Sequence, residues 1–164
     1  MLWCMVTAWL SLGMNLWTDM IRQRFYIKEY DWWVTAYYAV SRYNIGEIMY
    51  SLYSIGCDGE YMQTAYRNLK ANKIDSGLTH SNYMTRQSVM VTALSSSAKQ
   101  FHQALMHEIR HLQSHIATAF FLDEKSEQVC YLLDEIVGLT HETTSGLLCN
   151  CCRKKQIHYG NEQN

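Results

Sequence analysis

The chain has 164 residues, 48% of them apolar and 18% charged, with a formal net charge of −1. That length suits one domain with a single core, and the composition excludes intrinsic disorder. The basic residues are scattered, so there is no electrostatic footprint for nucleic acid, and the one basic run, Arg153-Lys154-Lys155, reads as a solvated tail.

There is no proline, so turns must come from Gly, Asn, Asp and Ser. Residues 1–18 carry no charge. A signal peptide would want Lys or Arg ahead of the apolar run, and a membrane span would not tolerate Thr7, Ser11, Gly13 and Asn15 well. The remaining choices are a helix docked on the core or an extension outside the fold. The expectation is a cytoplasmic protein with no membrane segment. The twelve Tyr and five Trp cluster between Tyr26 and Tyr61, where packing is their expected use. The six cysteines do not have the spacing of a disulfide framework and read as reduced thiols. Cys149, Cys151 and Cys152, flanked by His141 and His158, lack the paired CxxC spacing of a zinc knuckle. They are not expected to serve the main site described below.

In chain order, Arg24 to Val40 is rich in aromatic and β-branched residues with partial alternation, which predicts a strand, or two. Asn44 opens a helix, with Glu47 three residues on as in a capping box. Ile45, Ile48, Met49, Leu52 and Ile55 follow helical spacing to a C-cap at Gly56. Asp58 caps a second helix running to about Leu69. A polar stretch, Ala71 to Gly77, leads back into extended chain, and Ser88 to Leu94 is the best short strand in the sequence. The serines 95–97 can each cap a long helix from Ala98, whose apolar stripe is Phe101, Leu105, Ile109, Leu112 and Ile116. Ser126 caps a last helix, with Val129, Cys130, Leu133, Ile136 and Val137 on one face and Gly138 at its end. The order of elements is that of an α+β fold, with a small mixed sheet packed on the long helix and the helix after it.

The long helix carries His107-Glu108-Ile109-Arg110-His111, an HExxH motif. Residues i and i+4 of a helix lie about 40° apart on one face, so the two imidazoles can direct nitrogens at one ion. Zinc is the expected ion. Glu108 is placed to take a proton from a water that the ion acidifies. Without a metal, the same residues make a solvated helix face. Arg110 should face away from the ion. His115 cannot be a third ligand, because eight residues of helix rise about 12 Å. The longer pattern HExxHxxGxxH fails at Ser114 and Ala117. The third ligand must come from the next helix. Glu127 is favoured if the metal helix ends soon after His115, Glu135 if it runs on to Phe121 and turns tightly, and Glu124 is the most distant choice. His115 and Tyr131 are candidates for stabilising a developing oxyanion.

The stretch from Ser95 to Ile136, SSSAKQFHQALMHEIRHLQSHIATAFFLDEKSEQVCYLLDEI, resembles the small zincin-like metallopeptidase family encoded by bacteriophages and mobile elements of bacteria. The piece before it, GLTHSNYMTRQSVMVTA, resembles the same group. The resemblance implies a minimal zincin-like domain over residues 24–145, between an apolar extension (1–23) and a tail (146–164). It implies zinc ligands at His107, His111 and Glu127, a catalytic base at Glu108, a peptide or protein substrate, and a place in the bacterial host's cytoplasm. It also implies that the strand over Ser88 to Leu94 borders the cleft. Two functions follow: a zinc-dependent peptidase-like hydrolase, or a catalytically silent module that keeps the fold and serves interaction or regulation.

Overall fold

The computed structural model describes residues 20–41, 44–71 and 77–149. The fold is mixed α+β. Strands β1 (Ile21–Ile27) and β2 (Trp32–Val40) are followed by helices α1 (Ile45–Ser54) and α2 (Gly59–Lys70). Strands β3 (Gly77–Asn82) and β4 (Gln87–Ala93) come next, then helices α3 (Ala98–Ala119) and α4 (Glu127–Thr144). The four strands form one sheet in the order β1-β2-β4-β3. The β1–β2 and β3–β4 pairs are antiparallel, while β2 and β4 run parallel. The crossover between the two parallel strands contains α1 and α2, as a parallel pair requires.

Each face of the sheet is covered by a helix pair. On one face, Trp32, Val34, Ala36, Tyr38 and Met90 pack with the apolar stripe of α3 and with Leu132 and Ile136 of α4. On the other, Tyr37, Val89 and Val91 pack with Ile48 and Leu52 of α1 and with Ala65 and Leu69 of α2. The predicted α3 stripe is the buried one: Phe101, Leu105, Ile109, Leu112 and Ile116 are all nearly inaccessible. Burying each such side chain contributes roughly 1.5–3 kcal/mol before chain entropy is counted, which is what fixes α3 on the sheet.

The Arg24–Val40 stretch is two strands, one of the two expected outcomes, joined by a tight turn with Asp31 in the left-handed region at φ 49°. Several other local expectations need correction. β1 begins at Ile21, ahead of the expected boundary at residue 24, and Gln23 donates to the Leu139 carbonyl of α4 at 2.8 Å. Within the expected tail, Leu147 packs into the core. The capping box at Asn44 does not form: its side chain accepts from the Ser41 amide, and Glu47 instead pairs with Arg22 at 3.6 Å. Ser97 does cap α3, accepting from the Gln100 amide at 3.2 Å. On α4 the buried positions are Val129, Leu132, Ile136, Thr140 and Thr144, and Cys130 is exposed. Among the described cysteines Cys57 and Cys130 are free, and Cys149 is disulfide-bonded, contrary to the expected reduced thiol. The expectations for residues 1–18, Cys151, Cys152 and His158 lie outside the described residues. No helix among the described residues is long and apolar enough to cross a membrane.

Gly138 does not end α4, which runs on to Thr144. It sits at an exposed mid-helix position, and a Cβ added there would meet nothing within 4 Å. Gly138→Ala should therefore raise stability by about 0.5–1 kcal/mol, the ordinary helix-interior difference between the two residues. Urea unfolding of the two proteins checks this, and a lower midpoint for the alanine variant contradicts the continuous helix.

Candidate functional site

The HExxH residues occupy the middle of α3. His107 and His111 are exposed, one turn apart on one face, with Nε2 atoms 3.1 Å apart and rings nearly perpendicular at 83°. Two imidazole nitrogens each about 2.0–2.1 Å from one tetrahedral ion would sit roughly 3.3 Å apart. The observed separation is that of a hydrogen bond between the two rings, and it is also close to the spacing of two nitrogens on one ion.

Glu108 follows about 100° further round the helix and points under the sheet rather than at solvent. It is 1% exposed, and its Oε2 accepts from the Thr79 hydroxyl at 2.8 Å. Burial raises its pKa, while the Thr79 hydrogen bond and the charges of His111 and His107 oppose the shift. A carboxylate this deep is a better base than one in water. Room for it is made by Gly77: a Cβ there would lie 2.1 Å from the Val91 carbonyl oxygen, 2.8 Å from Glu108 Cγ and 3.0 Å from Cδ.

β3 explains the arrangement by simple alternation. Thr79 and Ser81 turn to α3 and bond Glu108 and His115 respectively. Leu78 and His80 turn to the other face, where Leu78 joins the apolar cluster and the His80 ring lies 4.8 Å from that of Tyr61 on α2. Between α2, β3 and α3 lies a cleft of about 530 Å³. His107, Glu108, His111 and His115 line one wall, and Tyr61 and Asn68 the other. β4 does not border it as an edge. It is interior, paired with β2 on one side and β3 on the other, and among the described residues β3 has a free edge. Tyr61 donates to the outward Thr79 carbonyl of that edge at 3.1 Å.

His115 is half-buried, with Nδ1 2.9 Å from Ser81 Oγ. Burial, with the nearby charges of His111 and His80, holds its pKa below 6.5, and His80 is likewise held low by burial. Both shifts favour the neutral ring.

The carboxylates proposed as a third ligand do not join the pair. Glu127 is exposed and opens α4. That first turn is fixed by Gln113 Nε2, which donates to the Val129 carbonyl at 2.6 Å. Gln113 is two residues past His111, about 200° round the helix, so the α4 N-terminus sits on the far side of α3 from the histidines. α3 also runs to Ala119 instead of ending near His115, which removes the loop-back on which Glu127 depended. Glu135 lies near Tyr30, whose pKa its charge helps to raise. Glu124 is exposed in the loop before α4. Among the described residues, no group of three His, Cys, Asp or Glu is placed to hold one ion. Tyr131 is 65% exposed on α4 and lies outside the cleft. Arg110 turns from the pair and bonds Gln113. Gly77, Thr79, Ser81 and Tyr61 were missed, and the one available signal was the small-residue alternation Gly-x-Thr-x-Ser at 77–81.

No family model matches the chain, and neither curated proteins nor solved structures yield a match.

Gly77 offers a direct check on how Glu108 is housed. Gly77→Ala must push β3 off β4 or expel the Glu108 side chain, an overpacking cost of about 1–3 kcal/mol. The expected result is a lower unfolding midpoint. Unchanged stability would mean that β3 does not press on Glu108 as described.

Proposed function

We propose that the chain is a zincin-like, metal-dependent hydrolase that cleaves a peptide bond in a peptide or protein substrate. His107 and His111 would hold a zinc ion, and Glu108 would serve as the proton acceptor. The observation that carries this reading is the convergence of the two Nε2 atoms at 3.1 Å beside a buried carboxylate, at the wall of a cleft. A zinc ion held there supplies Lewis acidity and brings the pKa of a water toward neutrality. Glu108 has one oxygen committed to Thr79, which fixes its orientation and leaves the other free to take a proton. The free edge of β3 offers backbone groups to an extended substrate, with Tyr61 occupying the Thr79 carbonyl until a substrate displaces it. The ligand set proposed is the two histidines. Glu127 would need α4 to leave the Gln113–Val129 contact. The bacterial cytoplasm is the compartment implied by the family resemblance.

A second reading has its own support. With only two protein ligands assembled among the described residues, the pair could hold metal for stability in a module that cleaves nothing.

Three proteins decide between these readings. The parent should carry one zinc per chain, and His111→Ala should lose it. Glu108→Gln should keep zinc yet lose peptide hydrolysis by about 10²–10⁴-fold, because an amide is not a base at neutral pH. Removing zinc from the parent should lower its melting temperature, since an ion bound only to the native state stabilises it by mass action. A parent that holds no zinc sinks both readings. Zinc retained and stabilising, with no cleavage by the parent, selects the module.

A further inference from the structure

We propose that His115 is a catalytic hydrogen-bond donor of this cleft, held as the Nε2–H tautomer by a proton-ordered chain through Trp32, Ser88 and Ser81. The catalytic half of this statement rests on the hydrolase reading above. The tautomer half stands by itself.

The chain is continuous. Trp32 Nε1 lies 2.8 Å from Ser88 Oγ, Ser88 Oγ lies 2.7 Å from Ser81 Oγ, and Ser81 Oγ lies 2.9 Å from His115 Nδ1. It crosses the sheet from β2 through β4 and β3 to α3. Trp32 is fully buried and Ser88 is 2% exposed, so water does not complete their bonding.

Proton counting gives the chain a direction. An indole N–H can only donate, so Ser88 accepts from Trp32. Each serine has one proton. If Ser88 donates to Ser81, then Ser81 donates to His115, and every proton is used. If instead His115 Nδ1 carried the proton and donated to Ser81, one hydroxyl would be left over. Either Ser81, at the cleft wall, would turn its proton out to cleft water, or it would donate back and leave the sealed Ser88 with none. Only the first arrangement, with Ser81 donating to His115, gives every proton in the chain a protein acceptor, and an unused buried hydroxyl proton is costly. The consistent arrangement is Trp32 to Ser88 to Ser81 to His115 Nδ1. In a neutral imidazole, a proton-free Nδ1 means that Nε2 carries the hydrogen.

The consequence is chemical. His115 lines the cleft one turn beyond His111, with ring centroids 6.3 Å apart. The Tyr83 ring, 6.1 Å away and steeply inclined at 72°, packs against its edge and limits its rotation. An Nε2–H tautomer has no lone pair there for an ion, so His115 is not a ligand. It presents a donor to the oxygen of a substrate carbonyl, where negative charge develops during attack. Because the bond from Ser81 already fixes Nδ1 as the acceptor, no change of tautomer is needed when that charge appears. Trp32, Ser88 and Ser81 are positioning residues that act through the tautomer.

Side-chain ¹⁵N–¹H correlation NMR on the parent reads the tautomer without any activity, with His115→Gln used to assign the signals. The expected result is a protonated Nε2 and an unprotonated Nδ1 at His115. Ser81→Ala should move both nitrogens toward the averaged values of a free imidazole. Ser88→Ala should do the same without touching His115, a shift that a merely packing role would not produce. If Ser88→Ala fails to fold, Ser81→Ala alone decides. In cleavage assays His115→Phe should lower kcat about 10²–10³-fold with a smaller change in KM. His115→Gln, whose amide N–H reaches as far as Nε2, should recover at least tenfold of that. A proton on Nδ1 in the parent overturns the proposal, as does a parent-like kcat for His115→Phe. A parent that binds zinc, shows the Nε2–H tautomer and cleaves nothing defeats the hydrolase reading while the ordered chain stands.

Discussion

Glu108 is buried to 1% exposure under β3, and the surroundings of that one carboxylate constrain three elements at once. Moving a charged carboxylate out of water costs several kcal/mol unless hydrogen bonds replace its hydration. Here one hydroxyl, that of Thr79, does so directly. For the hydroxyl to reach, β3 must lie close on α3, and for β3 to lie that close, residue 77 must lack a side chain. The identity of Gly77, the polarity of Thr79 and the rotation of α3 are thus one constraint. That rotation also sets the histidines: with Glu108 turned inward, His107 falls about 100° and His111 about 60° away, both at the cleft wall. An arrangement made only for stability would place an apolar residue at 108, as at Ile109 and Leu112. The energy lost by keeping a carboxylate there is what the proposed role of Glu108 would account for.

The parts of the fold legible in the sequence were those governed by one local period. The α3 stripe from Phe101 to Ile116 obeys helical spacing over its whole length, and it is buried as read. The HExxH pair needed nothing beyond that helix. What failed depended on relations between elements. The family resemblance put Ser88 to Leu94 at the cleft, yet the apolarity of that run is the mark of an interior strand. Val89 and Val91 pack on one face, Met90 on the other, and both edges are paired. The strand that does border the cleft, Gly77 to Asn82, is polar apart from Leu78, so no apolar alternation marks which strand faces the site. The choice of a third ligand turned on a relation of the same kind. The sequence does not say where α3 stops, and four more residues of helix beyond His115, with Gln113 anchoring Val129, carry the start of the next helix to the side of α3 away from the histidines. Gly138 was read by its type as a terminator, although the pattern of buried residues continues past it to Thr140 and Thr144.

Among the described residues the two outer edges of the sheet are treated differently, and the difference bears on where an extended ligand of the proposed hydrolase would enter. An exposed strand edge is a template for unwanted pairing, and charge on it is a common protection. β1 carries Arg22 and Arg24, with Arg22 paired to Glu47 and Arg24 stacked 4.3 Å from the centre of the Trp33 ring. That edge is blocked by charged groups already engaged. β3 carries no charge on Gly77, Leu78, Thr79, Ser81 or Asn82, and burial favours the neutral form of its one titratable residue, His80. Its protection is Tyr61, a single hydroxyl on the Thr79 carbonyl. A tyrosine hydrogen bond contributes about 1 kcal/mol net, little enough for an incoming backbone amide to replace. The edge beside Glu108 is therefore the one that a strand-like ligand can take with least expense, and it lies along the same β3 residues that hold Glu108 and His115 in place.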